Sequence, residues 1–175
     1  MPSMVLALAM PSIVPTLEWL EGLAWTTAIR ESTWGHPIIE TAHVASIVAF
    51  AGLVIVMDLR LVGLAFTHAP LTQIQRRLFP WQMAGLVPST VTGILLFCVD
   101  PMRYYGNLMF RVKLALLAVA GINAVAFHLV TSRTGDRWDE DPQATATARQ
   151  AGAVSLLLWS AIIVSGRLIA YNWFN

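Results

Sequence analysis

Four long apolar segments take up most of this 175-residue chain, and no other feature restricts its fold as strongly. The first runs from about residue 37 to 61 and the second from Pro80 and Trp81 to about residue 99. The third follows Arg111 and Lys113 and reaches about residue 130. The fourth starts at Asp141-Pro142, a helix-start pair, and continues through Trp159 and Arg167 to an aromatic belt at Tyr171 and Trp173. A helix rising 1.5 Å per residue needs about 20 apolar residues to cross a hydrocarbon layer about 30 Å thick. The predicted fold is therefore all-α, a polytopic membrane four-helix bundle. With 57% hydrophobic and 12% charged residues the chain is too apolar for a soluble domain, and it is too short for two domains. A net charge of +1 leaves no basic stripe for phosphates, which argues against nucleic acid as a partner. Cys98 is the sole cysteine, so an intramolecular disulfide or a thiolate cage is excluded.

The N-terminal segment, residues 1–36, reads as a separate unit ahead of the bundle of residues 37–175. Met4 to Met10 is apolar but has no basic residues before it and is broken by Pro11 and Pro15, so cleavage as a signal peptide is not expected. From Thr16 to about Arg30, Leu17, Trp19, Leu20, Leu23 and Trp25 alternate with Glu18 and Glu21 in the manner of one amphipathic interfacial helix. Pro37 can open the first span, where its missing N–H costs nothing, and Asp58 and Arg60 mark the exit, where side chains can reach headgroups or pair with neighbouring helices. Residues 72–78, with Arg76 and Arg77, form a short surface helix before Pro80. Pro88 and Gly93 predict a kink in the second span, with Thr90 and Thr92 available to the backbone. Asp100 to Asn107 forms a tight aromatic turn, which makes spans two and three antiparallel neighbours. Residues 134–143 form a solvated polar loop.

Basic residues favour one side of the membrane only weakly. The side reached after span one carries Arg60, Arg76, Arg77, Arg133, Arg137 and Arg149; the other carries Arg30, Arg103, Arg111 and Lys113. The expected arrangement has the first side cytoplasmic and both termini outside, which in a bacterial inner membrane means the periplasm.

Ionisable side chains in hydrocarbon need a partner, a cavity or a cofactor. His36, Glu40 and His43 lie on one helical stripe at the start of span one, since steps of three and four residues return to the same face. They are the candidate metal ligands, although one stripe supplies too few, and the second Glu-x-x-His motif of a di-iron centre is missing. For haem, the histidines of interest are His43, His36 and His128, with Arg167 as a charge partner for a propionate or for Glu40. His43 and His128 lie at depths differing by about 15 Å, so one iron cannot take both. His36 and His43 project from the same face about 10 Å apart and cannot grip an iron from opposite sides. What remains is a single-histidine site at His43 whose sixth ligand is distant, weak or absent, Met102 and Met109 being the candidates, and on the far side a pairing of His128 with His68 if the connecting loop folds back under the bundle. Asn123, Ser155, Ser160 and Ser165 and the glycines Gly121, Gly152 and Gly166 read as helix-contact residues. No residue is nominated as catalytic: a nucleophile elbow, phosphate loop and zincin helix are all absent.

Several short stretches together resemble a family of small, functionally uncharacterised four-span bacterial inner-membrane proteins. They are Ala28-Ile29-Arg30-Glu31-Ser32, Pro37 with Glu40 and His43, Asp58-Leu59-Arg60-Leu61, Pro80-Trp81 with Gly85, Thr92-Gly93 with Phe97, Asp100-Pro101 with Tyr104, and Phe110 with Lys113, Gly121, Asn123, Phe127 and His128. The resemblance runs from about Trp19 to Tyr171. It implies the four-helix fold and no activity. The outline also resembles four-helix b-type cytochromes, from which the chain departs in lacking histidine pairs on facing helices at matched depth.

Two functional expectations follow. In one, the chain is a membrane subunit of a larger complex that carries haem b or another tetrapyrrole near the outer side of span one and takes part in electron transfer. In the other, it is an accessory or scaffold subunit with no cofactor, whose buried His, Glu and Arg lock the bundle. The partners expected are membrane lipids and other membrane protein subunits.

Overall fold

The computed structural model describes residues 13–68, 70–134 and 142–171, and within these the backbone is helical apart from short connections. Met4 to Met10, the charged residues of the polar loop (Asp136, Arg137, Asp139, Glu140 and Asp141) and Trp173 lie outside the described residues. The elements are α1 (Val14–Glu21), α2 (Ala24–Glu31), α3 (Gly35–Val62), α4 (Leu71–Val99), α5 (Pro101–Gly106), α6 (Leu108–Thr134) and α7 (Pro142–Leu168), the last followed by one turn of 3₁₀ helix, Ile169–Tyr171. Four helices, α3, α4, α6 and α7, are long and apolar enough to cross a membrane. The protein is an all-α helical membrane bundle.

The four spans pack in the order α4–α3–α7–α6, with each neighbour antiparallel to the next. Spans two and three, expected to be neighbours across the short turn, are not packed backbone to backbone: among the described residues the backbones of α4 and α6 do not come into contact, α6 lies on α7 instead, and aromatic side chains bridge α4 and α6. Phe97 of α4 stacks on Phe110 of α6 at 5.6 Å between centroids, and Tyr104 leans on Phe110 at 5.3 Å. The core is built along α3 and α7. Phe50, Ala51, Ala120, Trp159 and Ile162 form one cluster, with Trp159 meeting Phe50 edge-on at 5.1 Å. Met57, Leu61, Leu71 and Ala148 form a second, covered by Phe127. Where lipid is as apolar as leucine, helices gain by close approach rather than by leaving water, and small residues permit it. A Cβ added at Gly85 would stand 2.9 Å from Phe50 Cβ, and one at Gly152 would stand 2.8 Å from Leu61 Cβ.

Two boundaries differ from those expected. The short surface helix and the second span are one helix, Leu71–Val99, which runs through Pro80 and Pro88. Each proline deletes one rung of the hydrogen-bond ladder. Against that loss, Leu71, Ile74 and Leu78 pack on Met57 and Leu61 of α3, so tertiary packing carries the helix past the proline that reads as its start. The hydroxyls of Ser89 and Thr92 bond back to the carbonyls of Leu86 and Pro88, at 2.9 and 2.6 Å.

The single interfacial helix is instead two, α1 and α2, broken at Gly22 and Leu23. Thr26 explains the break. Its hydroxyl is fully buried and sits 2.8–3.1 Å from the carbonyls of Leu20, Glu21 and Leu23, donating to one at a time where the chain turns. Arg30 then fastens this unit to the bundle, donating through Nη1 to Val99 O at the end of α4 (2.9 Å) and through Nη2 to Glu21 O (3.3 Å). Trp19, Trp25 and Trp34 are left exposed. The expected aromatic turn is the short helix α5, opened by Pro101. Asn107 follows it, accepting from Phe110 N (3.1 Å) and donating to Ile169 O (3.4 Å), so it caps α6 and ties it to the end of α7.

Candidate functional site

The polar residues inside the spans collect at two places. One is at the α2/α5 end of the bundle, between α3, α4, α6 and α7; the other is near the opposite end of α3.

At the first place His43 turns from α3 toward α4. Its Nδ1 lies 3.0 Å from the carbonyl of Ser89 and 3.0 Å from Thr92 Oγ1. A carbonyl only accepts, and the Thr92 hydroxyl already donates to Pro88 O, so Nδ1 carries the proton and Nε2 keeps its lone pair. Nε2 has no hydrogen-bond partner among the described residues. Room for the ring comes from Gly93, where an added Cβ would lie 3.1 Å from Cε1. Lys113 of α6 comes close enough to His43 to act on it electrostatically. Its ammonium has no hydrogen bond or ion pair among the described residues, and its stem crosses Gly166 of α7, whose added Cβ would lie 3.5 Å from Nζ.

Glu40 lies at the exposed rim with His36, whose Nδ1 is 3.9 Å from Glu40 Oε2, and its charge reaches both His43 and Tyr104. The Tyr104 phenol, on α5 outside the spans, is pushed above the usual tyrosine value by burial. Arg103 opposes that shift, and Glu40 and Asp100 reinforce it. The same end therefore combines an oriented imidazole and an ammonium, each without a further hydrogen-bond partner at Nε2 and Nζ among the described residues, with an aromatic layer.

The second place is a seam between α3 and α7. Asp58 is 4% exposed, hydrogen-bonded to Ser155, and its Oδ2 has no partner among the described residues. The helices are too close at Gly152 to admit anything else, since a Cβ there would stand 3.1 Å from Asp58 O. Of the two roles open to Asp58 at the end of the span, headgroup contact or pairing with a neighbouring helix, it takes the second.

The residues singled out from the sequence are only partly brought together. His36 and Glu40 meet, but His43 faces away from them toward α4, and among the described residues no group of three His, Cys, Asp or Glu side chains could hold a metal ion. His128 is exposed at the other end of the bundle, and His68 is exposed in the α3–α4 connection. Arg167 reaches neither Glu40 nor His43. It folds along its own helix, with Nη2 donating to Tyr171 Oη (3.2 Å) and the guanidinium 5.3 Å from that ring's centroid. Asn123 does bridge helices, donating to Ala151 O (3.2 Å), whereas Gly121 has nothing within 4 Å and faces outward.

Lys113 is not among the site residues nominated from the sequence, where it enters as a flanking charge and in the family resemblance, and the signal that singles it out is simple. It sits six residues into an apolar helix with no acidic residue within a turn. No family model, curated protein or solved structure matches the chain.

Proposed function

We propose that this protein is an integral membrane subunit that carries haem, or another tetrapyrrole, on His43 and transfers electrons within a larger complex. The observation that carries the reading is the anchored imidazole. Nδ1–H is held by a carbonyl of the neighbouring helix while Nε2 is left with its lone pair, the arrangement by which proteins fix the tautomer and direction of a metal-binding histidine. Lys113 on the facing helix suits an anionic edge, and Phe97, Phe110 and Tyr104 supply apolar cover. This chain offers one strong axial ligand; Met102 and Met109 are half-buried at the same end. A second ligand and the remaining cover would come from a partner chain, which is why the reading is of a subunit. In this reading the α2/α5 end lies on the outer face of a bacterial inner membrane, which the weak bias of basic residues and the resemblance noted above favour.

The test is an absorption spectrum of the protein purified in mild detergent from cells supplied with haem precursor. The reading expects a Soret band that disappears in His43→Ala and survives in His128→Ala. A colourless, folded wild-type protein would contradict it.

A second reading, an accessory subunit with no cofactor, draws on one observation. The outward face of α6 is a shallow apolar groove lined by Ala118, Gly121, Ile122, Val125, Ala126 and Leu129, with small residues where another helix could approach closely. Loss of co-purifying subunits in Gly121→Leu, with the spectrum unaffected, would favour it.

A further inference from the structure

We infer that Lys113 holds the anionic headgroup of an amphiphile, a carboxylate or a phosphate, beside the recess that Gly166 leaves on α7. The inference rests on the site proposed above but not on that site being a haem site. Lys113 is the sixth residue of α6, about 8 Å along the helix from Leu108 at 1.5 Å per residue. Its Nζ, Cε and Cδ lie 3.5, 3.7 and 3.8 Å from the place a Cβ would take on Gly166, so the end of the side chain crosses a residue with nothing to displace it.

A cation held there needs an anion, because the margin of the hydrocarbon solvates it poorly. Among the described residues no acid forms an ion pair with Lys113: Glu21 lies with Arg30, Glu40 with His36 and Asp100 with Arg103, and Glu18 and Glu31 are exposed on α1 and α2. Arg111, exposed two residues earlier on the same helix, adds a second positive charge at the rim. His43, within electrostatic reach of the ammonium, keeps at Nε2 a nitrogen that has no hydrogen-bond partner among the described residues. Deeper along the same helices the exposed side chains Leu114, Ile163 and Val164 offer hydrocarbon for a tail. A ligand that is anionic at one end and apolar along the rest satisfies all of these groups together; a small soluble anion satisfies only the charge.

Two sources supply that chemistry, a phospholipid headgroup and the carboxylate edge of the tetrapyrrole proposed above. Native mass spectrometry of the full chain, released from bilayer discs of phosphatidylcholine with phosphatidylglycerol, reads the first. Titration with haem against its dimethyl ester reads the second. If the anion is lipid, the wild type retains phosphatidylglycerol over phosphatidylcholine by about tenfold, the ratio falls to about one in Lys113→Met, and Lys113→Arg keeps it. Gly166→Leu, which fills the recess and leaves the charge intact, lowers the ratio as well. If the anion is the cofactor's carboxylate, haem binds about tenfold more tightly than its ester, and Lys113→Met removes the difference. Equal behaviour of wild type and Lys113→Met in both arms, with helicity and detergent-complex size unchanged, would overturn the inference. If no haem binds at all, the haem reading falls, and the lipid arm alone decides on Lys113.

Discussion

The two ends of α3 each bury a polar side chain against a neighbouring helix, and they do so in opposite ways. Near one end, Asp58 is sealed into the α3–α7 seam, bonded to one hydroxyl, with backbones pressed together at Gly152. Near the other, His43 is only half-buried, oriented by two acceptors on α4, and lies within electrostatic reach of an ammonium from a third helix. Glycine serves both ends, but differently. At Gly152 and Gly85 it lets backbones meet; at Gly93 and Gly166 it makes room for a polar side chain. The comparison separates a polar group that belongs to the packing from a pair positioned to meet something else.

The difference can be broken first at the glycines. Gly152→Val and Gly85→Val put side-chain atoms where an added Cβ is already within 3 Å of a neighbour, and each should cost about 3 kcal/mol or prevent folding, read as thermal unfolding in detergent. Gly166→Ala meets only ordinary contact distances and should change stability by less than about 0.5 kcal/mol. Equal losses at Gly152 and Gly166 would erase the distinction.

The next effect lies in the seam itself. Ser155→Ala removes the hydrogen-bond partner of a buried carboxyl and should cost about 1–3 kcal/mol. Asp58→Asn removes a carboxyl that is already short of a partner at Oδ2 and should fall within about 1 kcal/mol of wild type, on either side. A large loss in Asp58→Asn with none in Ser155→Ala would reverse the assignment. At the other end, Thr92→Val leaves the Ser89 carbonyl as the sole acceptor for Nδ1 and should cost about 1 kcal/mol while loosening ligand binding at His43.

The smallest effect is a pH dependence at α5. The folded chain holds the Tyr104 proton more tightly than the unfolded chain does, because burial disfavours the phenolate. Between the unfolded value of about 10 and the higher folded value, the unfolded state binds fewer protons, so stability falls as pH rises through that window. Tyr104→Phe should flatten the fall in a thermal unfolding series carried above about pH 10.

The spans were legible from hydropathy because length and apolarity in one continuous run leave little else for the chain to form. Their ends were less so. Pro80 is a sound helix-start signal, yet the packing of Leu71, Ile74 and Leu78 on α3 outweighs it, and no local pattern reports that contact. The break between α1 and α2 depends on the Thr26 hydroxyl reaching carbonyls three to six residues back, which an amphipathic pattern does not register. Among site residues, His43 stood out because an imidazole inside an apolar run is costly on its own helix. Its partners Ser89, Thr92 and Lys113 come from two other helices, and helical periodicity carries no information about which faces meet. Arg167 shows the converse: its depth matched that of Glu40, but its rotation about α7 and the nearby Tyr171 decide where it goes.

The central claim is that the His43–Lys113 end binds a ligand while the Asp58–Ser155 seam only holds helices together. Mass and visible absorption of the detergent-purified protein, compared across wild type, His43→Ala and Asp58→Asn, test it most directly. The account predicts bound non-protein mass in wild type and Asp58→Asn that is lost in His43→Ala, with all three proteins folded. Wild-type protein free of added mass and colour, or a ligand lost in Asp58→Asn and kept in His43→Ala, would contradict it.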